Sequence, residues 1–197
     1  MTFRLGLTGS IGMGKSTTAQ MFADEGCDVW DADAAVHRLY STGGLAVKGI
    51  RKVFPEAIES NAVSRATLKR IISSNEAALK QIGAIVHPLV RAERADFIDA
   101  SESDIVILDI PLLFETNCQD EFDAVVCATA PAEIQKQRVL ARPGMTEAHF
   151  QIILSIQMPD AEKRKRADYT VETTTLEHAK TQVQRIASDI RGKLSNA

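Results

Sequence analysis

A chain of 197 residues, 45% hydrophobic and 25% charged, suits one globular domain with a real core and room for an inserted lid. Its net charge of −3 argues against a general nucleic-acid binder, and no uninterrupted apolar run reaches the length of a membrane span. The N-terminus lacks the basic, apolar and small-residue succession of a signal peptide. Cys27, Cys118 and Cys127 are far apart and odd in number, so a reducing, cytoplasmic setting is expected, without a disulfide or zinc framework. His37, His87, His149 and His178 are equally scattered.

Phe3 to Thr8 reads as a buried strand. Gly9-Ser10-Ile11-Gly12-Met13-Gly14-Lys15-Ser16 then matches G-x-x-x-x-G-K-[ST], and a helical pattern starts at Ser16 and should stop near Gly26. Strand, glycine-rich loop and helix together make a phosphate-binding loop. Its amides and the positive helix end would cradle a nucleoside triphosphate, Lys15 would reach the β and γ phosphates, and Ser16 would ligate Mg²⁺.

Asp28 to Trp30 is a second short strand, closed by Asp31-Ala32-Asp33. Two acids at a strand end suit an acceptor hydroxyl or Mg²⁺; the plain alternative is Asp33 as the cap of the next helix, which carries Val36, Leu39 and Tyr40 and should end at Gly43-Gly44. Ser64 looks like the cap of a helix holding Leu68, Ile71 and Ile72. Asn75 to Val86 is helical, His87-Pro88 should break or kink the chain, and helix resumes to Ala100. This stretch of about 70 mostly helical residues is the size of an inserted substrate-binding region.

Ile105 to Asp109 and Ala124 to Ala128 are near-continuous apolar runs, as expected of parallel strands covered on both faces. Asp109 resembles the second, Mg²⁺-holding acid of nucleotide sites. The segment Ile110-Pro111-Leu112-Leu113-Phe114-Glu115 follows, its leucines and phenylalanine suited either to the core or to an apolar wall for a base, with Glu115 readable as a solvated helix end.

Pro131 starts a helix running to about Arg142, which would put Arg138 and Arg142 on one face. Pro143-Gly144 ends it, and Thr146 caps another helix to about Gln157. An arginine pair beside that break suits charge stabilisation from a hinged lid; the plain alternative is a solvated basic face. Lys163-Arg164-Lys165-Arg166 reads as an exposed basic helix or turn. Tyr169 to Glu172 is a last strand and Leu176 to Lys193 a last helix. Alternating strands and helices mean a doubly wound α/β fold.

Taken in order, Leu7 to Thr17, Asp31-Ala32-Asp33, His87-Pro88, Asp109 to Glu115, Gln135 with Arg138 and Arg142, Gln157-Met158 and Ala167-Asp168 resemble the dephospho-coenzyme A kinase family over nearly the whole chain. The string from Asp109 to Glu115 carries most of the specificity. Three positions depart from the family pattern. Ile153-Leu154 stands where the family has Arg-Ile, leaving Arg142 or Lys163 to replace that lid cation. Tyr169 to Thr174 stands where an Asn and a Gly usually approach the adenine. Ser64-Arg65 replaces Asp-Arg.

The resemblance implies an α/β, P-loop NTPase-type domain with a five-stranded parallel sheet flanked by helices. It implies a nucleotide-binding core at about 1–33, 101–142 and 167–197, a helical coenzyme A region at about 34–100 and a helical lid at about 143–166. The activity implied is ATP-dependent phosphorylation of the ribose 3′-hydroxyl of dephospho-coenzyme A, the last step of coenzyme A synthesis. Lys15, Asp33 and Arg138 are then catalytic. Gly12, Met13, Gly14, Lys15, Ser16, Thr17 and Arg142 bind ATP, and Ser16 also binds Mg²⁺. Asp31, Asp33, His87, Asp109 and Leu112 face the acceptor. No nucleic acid or membrane is implied, and oligomeric state stays open, with a monomer admissible. Two rivals share the phosphate loop: a kinase for another small acceptor, and a nucleotide-gated switch, although the guanine-specific N-K-x-D segment is absent.

Overall fold

β1 (Phe3–Thr8) is the middle strand of a five-stranded sheet in the computed structural model, which describes residues 2–196. It pairs in parallel with β5 (Ile105–Asp109) on one side and β6 (Ala124–Thr129) on the other, and β6 pairs in parallel with β7 (Tyr169–Glu172). β2 (Asp28–Asp31) forms the edge beside β5. Every residue of β5 and β6 is buried, as the unbroken apolar runs require of strands with both faces covered. α1 (Lys15–Asp24) and α9 (Leu176–Ser195) press Ala19, Phe22, Val183, Ile186 and Ile190 into the core beneath Leu5, Leu7, Ile105, Ile107 and Val126. α6 (Ala132–Leu140), α7 (Glu147–Ile156) and α8 (Asp160–Arg166) follow β6.

The chain divides into two compact units, one made of the residues up to Trp30 and from Ser101 onward, the other of Asp31–Ala100. The second unit holds α2 (Ala32–Tyr40), α3 (Leu45–Val53), the two-stranded antiparallel hairpin β3 (Ile58–Glu59) and β4 (Ala62–Val63), α4 (Arg65–Ser74) and α5 (Glu76–Ala100). It has a core of its own, including Leu39, Ile50, Phe54, Leu68, Ile82 and Val86. Residues 143–166 belong to the first unit and do not separate from it.

The sequence patterns and the structure differ in four places. α3 and the hairpin fill what reads as a plain connection after Gly43-Gly44; Ser60 and Asn61, both at positive φ, make the hairpin turn. Asp31, not Asp33, caps α2 by accepting the Ala34 N–H at 2.9 Å, which leaves Asp33 in the first turn. α5 runs unbroken through Pro88, at the loss of one backbone donor. α6 ends at Leu140, so Arg142 lies beyond the helix in the turn and shares no helix face with Arg138. Ser64 and Thr146 do cap α4 and α7, accepting from the amides of Thr67 and His149. Among the described residues no helix is long and apolar enough to cross a membrane.

Candidate active site

The loop between β1 and α1 is shaped by close backbone approaches. Gly14 is the N-cap of α1 at φ +82, and a Cβ there would meet the Thr173 hydroxyl at 2.8 Å. Gly12, at φ +78, lies against Val139 of α6, only 2.6 Å from where its Cβ would stand. No side chain caps α1. The first-turn amides of Lys15, Ser16 and Thr17 therefore have no carbonyl within the helix to bind, which is the arrangement that receives an anion. Ser16 and Thr17 are exposed, whereas Met13 is buried, its sulfur accepting the Ala130 N–H.

Lys15 and Asp109 form an ion pair. The register places Asp109 opposite Leu7, one residue before the end of β1, so an ammonium on the first turn of α1 reaches the end of β5. Asp109 is buried, while the Lys15 side chain keeps some exposure. A buried carboxylate needs a cation or hydrogen bonds, and here the phosphate-loop lysine supplies the charge.

After Asp109 the chain folds back over the sheet. Ile110 N–H donates to Leu7 C=O at 2.9 Å and the Thr8 hydroxyl to Pro111 C=O at 3.1 Å. Leu113 and Phe114 are core residues, with Leu113 against Gly6, and Leu112 is left 38% exposed. Glu115 is no solvated helix end: it accepts the Met158 N–H at 2.7 Å and pairs with Lys163 at 2.9 Å. Lys163 is completely buried, so it is neither part of an exposed basic run nor a spare lid cation. Arg164, Lys165 and Arg166 are exposed as expected, and Arg142 is exposed in the turn after α6.

Arg138 is held rather than solvated. It donates to the Thr173 hydroxyl at 2.9 Å and to the Thr173 carbonyl at 2.5 Å. The Thr173 hydroxyl in turn donates to the Met13 carbonyl at 2.9 Å, so Arg138 is linked to the phosphate loop through one residue. Two glutamines clamp the same loop. Gln135 donates to the Ile11 carbonyl at 2.8 Å, and the Gln157 side-chain carbonyl accepts the Ile11 N–H at 3.0 Å.

Thr173 stood out in the sequence only as a departure from the family pattern. Gln135 and Gln157 stood out only as family-motif letters without a role. Their signal is a polar residue in a predicted helix next to apolar neighbours, and such residues are common.

Asp31, Asp33 and His87 belong to the second unit. All three are exposed, Asp31 and Asp33 at the start of α2 and His87 on α5, where its ring lies over Gly83. Burial pushes the Cys27 thiol up to about 11 and the Cys127 thiol up to about 12, too high for either to be a thiolate near neutral pH. Among the described residues no cluster of three or more His, Cys, Asp or Glu forms a metal cage.

The family model described as dephospho-CoA kinase matches residues 3–178. Curated relatives bearing that name include one from Ruegeria pomeroyi, 60% identical over 97% of both chains. Another, from Cereibacter sphaeroides, is 53% identical over 96% of both. Among solved structures, TT1252 from Thermus thermophilus is 32% identical with a TM-score of 0.86, over 95% of this chain and 97% of that one. Shikimate kinase from Acinetobacter baumannii, 19% identical with a TM-score of 0.56 over 98% and 95% of the two chains, shares the fold. On the match to the family model and to relatives of this identity along nearly the whole length, the chain belongs to the dephospho-CoA kinase family.

Proposed function

We propose that this chain transfers the γ-phosphoryl group of ATP to the ribose 3′-hydroxyl of dephospho-coenzyme A, with the phosphate loop and α1 as the ATP site and Asp33 as the acceptor's base. The observation that carries the reading is the open N-terminus of α1 beside the Lys15–Asp109 pair, in a chain of this family.

The 3′-oxygen bonds to the γ-phosphorus as the bond from that phosphorus to the β–γ bridging oxygen breaks. The hydroxyl proton passes to the Asp33 carboxylate, and ADP leaves. The amides of Gly12 and of Gly14 to Thr17 hold the phosphate oxygens, whereas the Met13 amide, expected to join them, donates to the Ser10 carbonyl at 3.1 Å. Lys15 exchanges Asp109 for the β and γ phosphates when ATP enters, since phosphate is the more highly charged partner. Arg138, with Arg142 from the turn beyond α6, stabilises charge on the transferring group. Asp31, His87 and Leu112 contribute to the acceptor site.

The Ser16 hydroxyl and the Asp109 carboxylate are hard oxygen donors, few enough to leave the remaining positions to water and phosphate, as Mg²⁺ prefers. When bound, the ion neutralises charge on the β and γ phosphates. Within residues 143–166, the part that precedes the anchored Gln157 acts as a lid that excludes water as a competing acceptor. The cytoplasm, where ATP and thiols coexist, suits this chemistry.

The test is turnover by single variants. Lys15→Ala and Asp33→Asn are each expected to lower kcat at least about a hundredfold, with the circular dichroism spectrum unchanged. A folded Asp33→Asn enzyme with near-normal kcat would remove Asp33 from the base role.

A further inference from the structure

The Lys163–Glu115 pair lies outside the reacting groups, yet one short peptide ties it to the phosphate loop. Lys163 is fully buried and donates to the Pro111 carbonyl at 3.1 Å, the same carbonyl that accepts the Thr8 hydroxyl. Glu115 Oε1, 2.9 Å from the Lys163 ammonium, also accepts the Met158 N–H. The residue before Met158 is Gln157, whose side chain accepts the Ile11 N–H inside the phosphate loop. A second anchor stands three residues before Lys163: Asp160 accepts from the Thr129 hydroxyl at 2.8 Å, at the end of β6. The segment from Gln157 to Lys163 is thus pinned to the ends of β1, β5 and β6.

A buried ion pair is a poor device for stability alone. Desolvating both ions is costly, and well-packed apolar residues of similar volume often serve as well or better. Its distinctive property is direction, because the two charges fix each other and every carbonyl and amide they bind. Here the groups fixed are the loop after β5 and the Met158 amide, and through Gln157 the orientation of Ile11. The Ile11 N–H is thereby turned to protein, while the first-turn amides of Lys15, Ser16 and Thr17 are left for phosphate.

We propose that Lys163 and Glu115 are positioning residues for ATP, holding Gln157 so that the phosphate loop keeps its anion-binding shape without the substrate. This rests on the nucleotide-site reading above, but not on the identity of the acceptor.

The test is direct calorimetry with a non-hydrolysable ATP analogue and Mg²⁺ on the full chain, together with separate KM values for ATP and dephospho-coenzyme A. Lys163→Met is expected to weaken the analogue and raise KM for ATP about tenfold, leaving KM for the acceptor within about twofold. Gln157→Ala is expected to do the same. Adding it to Lys163→Met should bring little further loss, because both act through one chain of contacts. A purely stabilising pair would lower Tm and leave the analogue's Kd untouched, and that result overturns the proposal.

Should Lys163→Met fail to fold, Glu115→Gln, which keeps an acceptor for Met158, and Gln157→Ala carry the test. Wild-type Kd in Gln157→Ala overturns the proposal equally. If the wild-type chain itself failed to bind the analogue, the nucleotide site would fall along with it. Binding by the wild type with unchanged variants would remove only the positioning role.

Discussion

Arg138 shows how a single residue can be legible in type but not in setting. A helical arginine near a Pro-Gly break suggests a cation aimed at phosphate. The structure gives it two bonds to Thr173, whose hydroxyl holds the Met13 carbonyl of the phosphate loop. If Arg138 acts on the transferring group, Arg138→Ala should lower kcat about 10²- to 10³-fold with a smaller rise in KM, the loss expected for one preorganised donor. Arg138→Lys should not restore it, because a single ammonium cannot reproduce a planar fork on two oxygens. Steady-state kinetics decide the matter, and an unchanged kcat would leave Arg138 a strut for Thr173. Lys163 is the converse case. Within Lys163-Arg164-Lys165-Arg166 no rule of composition marks the first of four basic residues as the buried one. That depends on Glu115, 48 residues earlier in the chain, coming to lie beside it.

Elements were more legible than residues wherever the signal is local. β1, β5 and β7 have the bounds that their apolar runs predict, and the caps at Ser64 and Thr146 lie where a hydroxyl precedes a helical pattern. α3 and the β3–β4 hairpin were not legible. The hairpin has two residues per strand and is stabilised mainly by the core it covers, which carries no periodicity of its own. α9 offers a clean test of local reasoning. Its N-cap Thr175 accepts the His178 N–H at 3.2 Å, and the helix buries Ala179, Val183, Ile186, Ala187 and Ile190. Thr175→Ala should cost about 1 kcal/mol and lower Tm by about 2–4 °C for a chain of this size. Thermal melts check this, and an unchanged Tm would show that water replaces the hydroxyl fully.

At the scale of the whole molecule, a parallel sheet and the phosphate loop follow from sequence, because covered strands and a strand–loop–helix turn are written in consecutive residues, whereas the strand order is not. Which acids respond to pH is not so written. Asp123 is held below the usual carboxylate range by its bonds to Arg4, and Asp104 is lowered by Arg191. Both pairs join segments far apart in the chain.

A depressed carboxylate contributes its stability above the unfolded value, near 3.9 for aspartate, and loses it as pH falls through the lower folded value. Tm should therefore hold at neutral pH and fall below about pH 4. Asp123→Asn should start with a lower Tm at pH 7 and show a shallower acid slope. Parallel Tm–pH curves for the two proteins would contradict this assignment.

The central claim is the transfer of phosphate from ATP to one particular hydroxyl. The most direct measurement is mass spectrometry of the products formed by the wild-type chain from ATP, Mg²⁺ and dephospho-coenzyme A, run beside a panel of nucleoside monophosphates. Phosphorylation at the ribose 3′-position of dephospho-coenzyme A alone, with ADP released in equal amount, is the result expected. A monophosphate accepted in preference, or ATP bound by a folded protein with no acceptor phosphorylated, would contradict it.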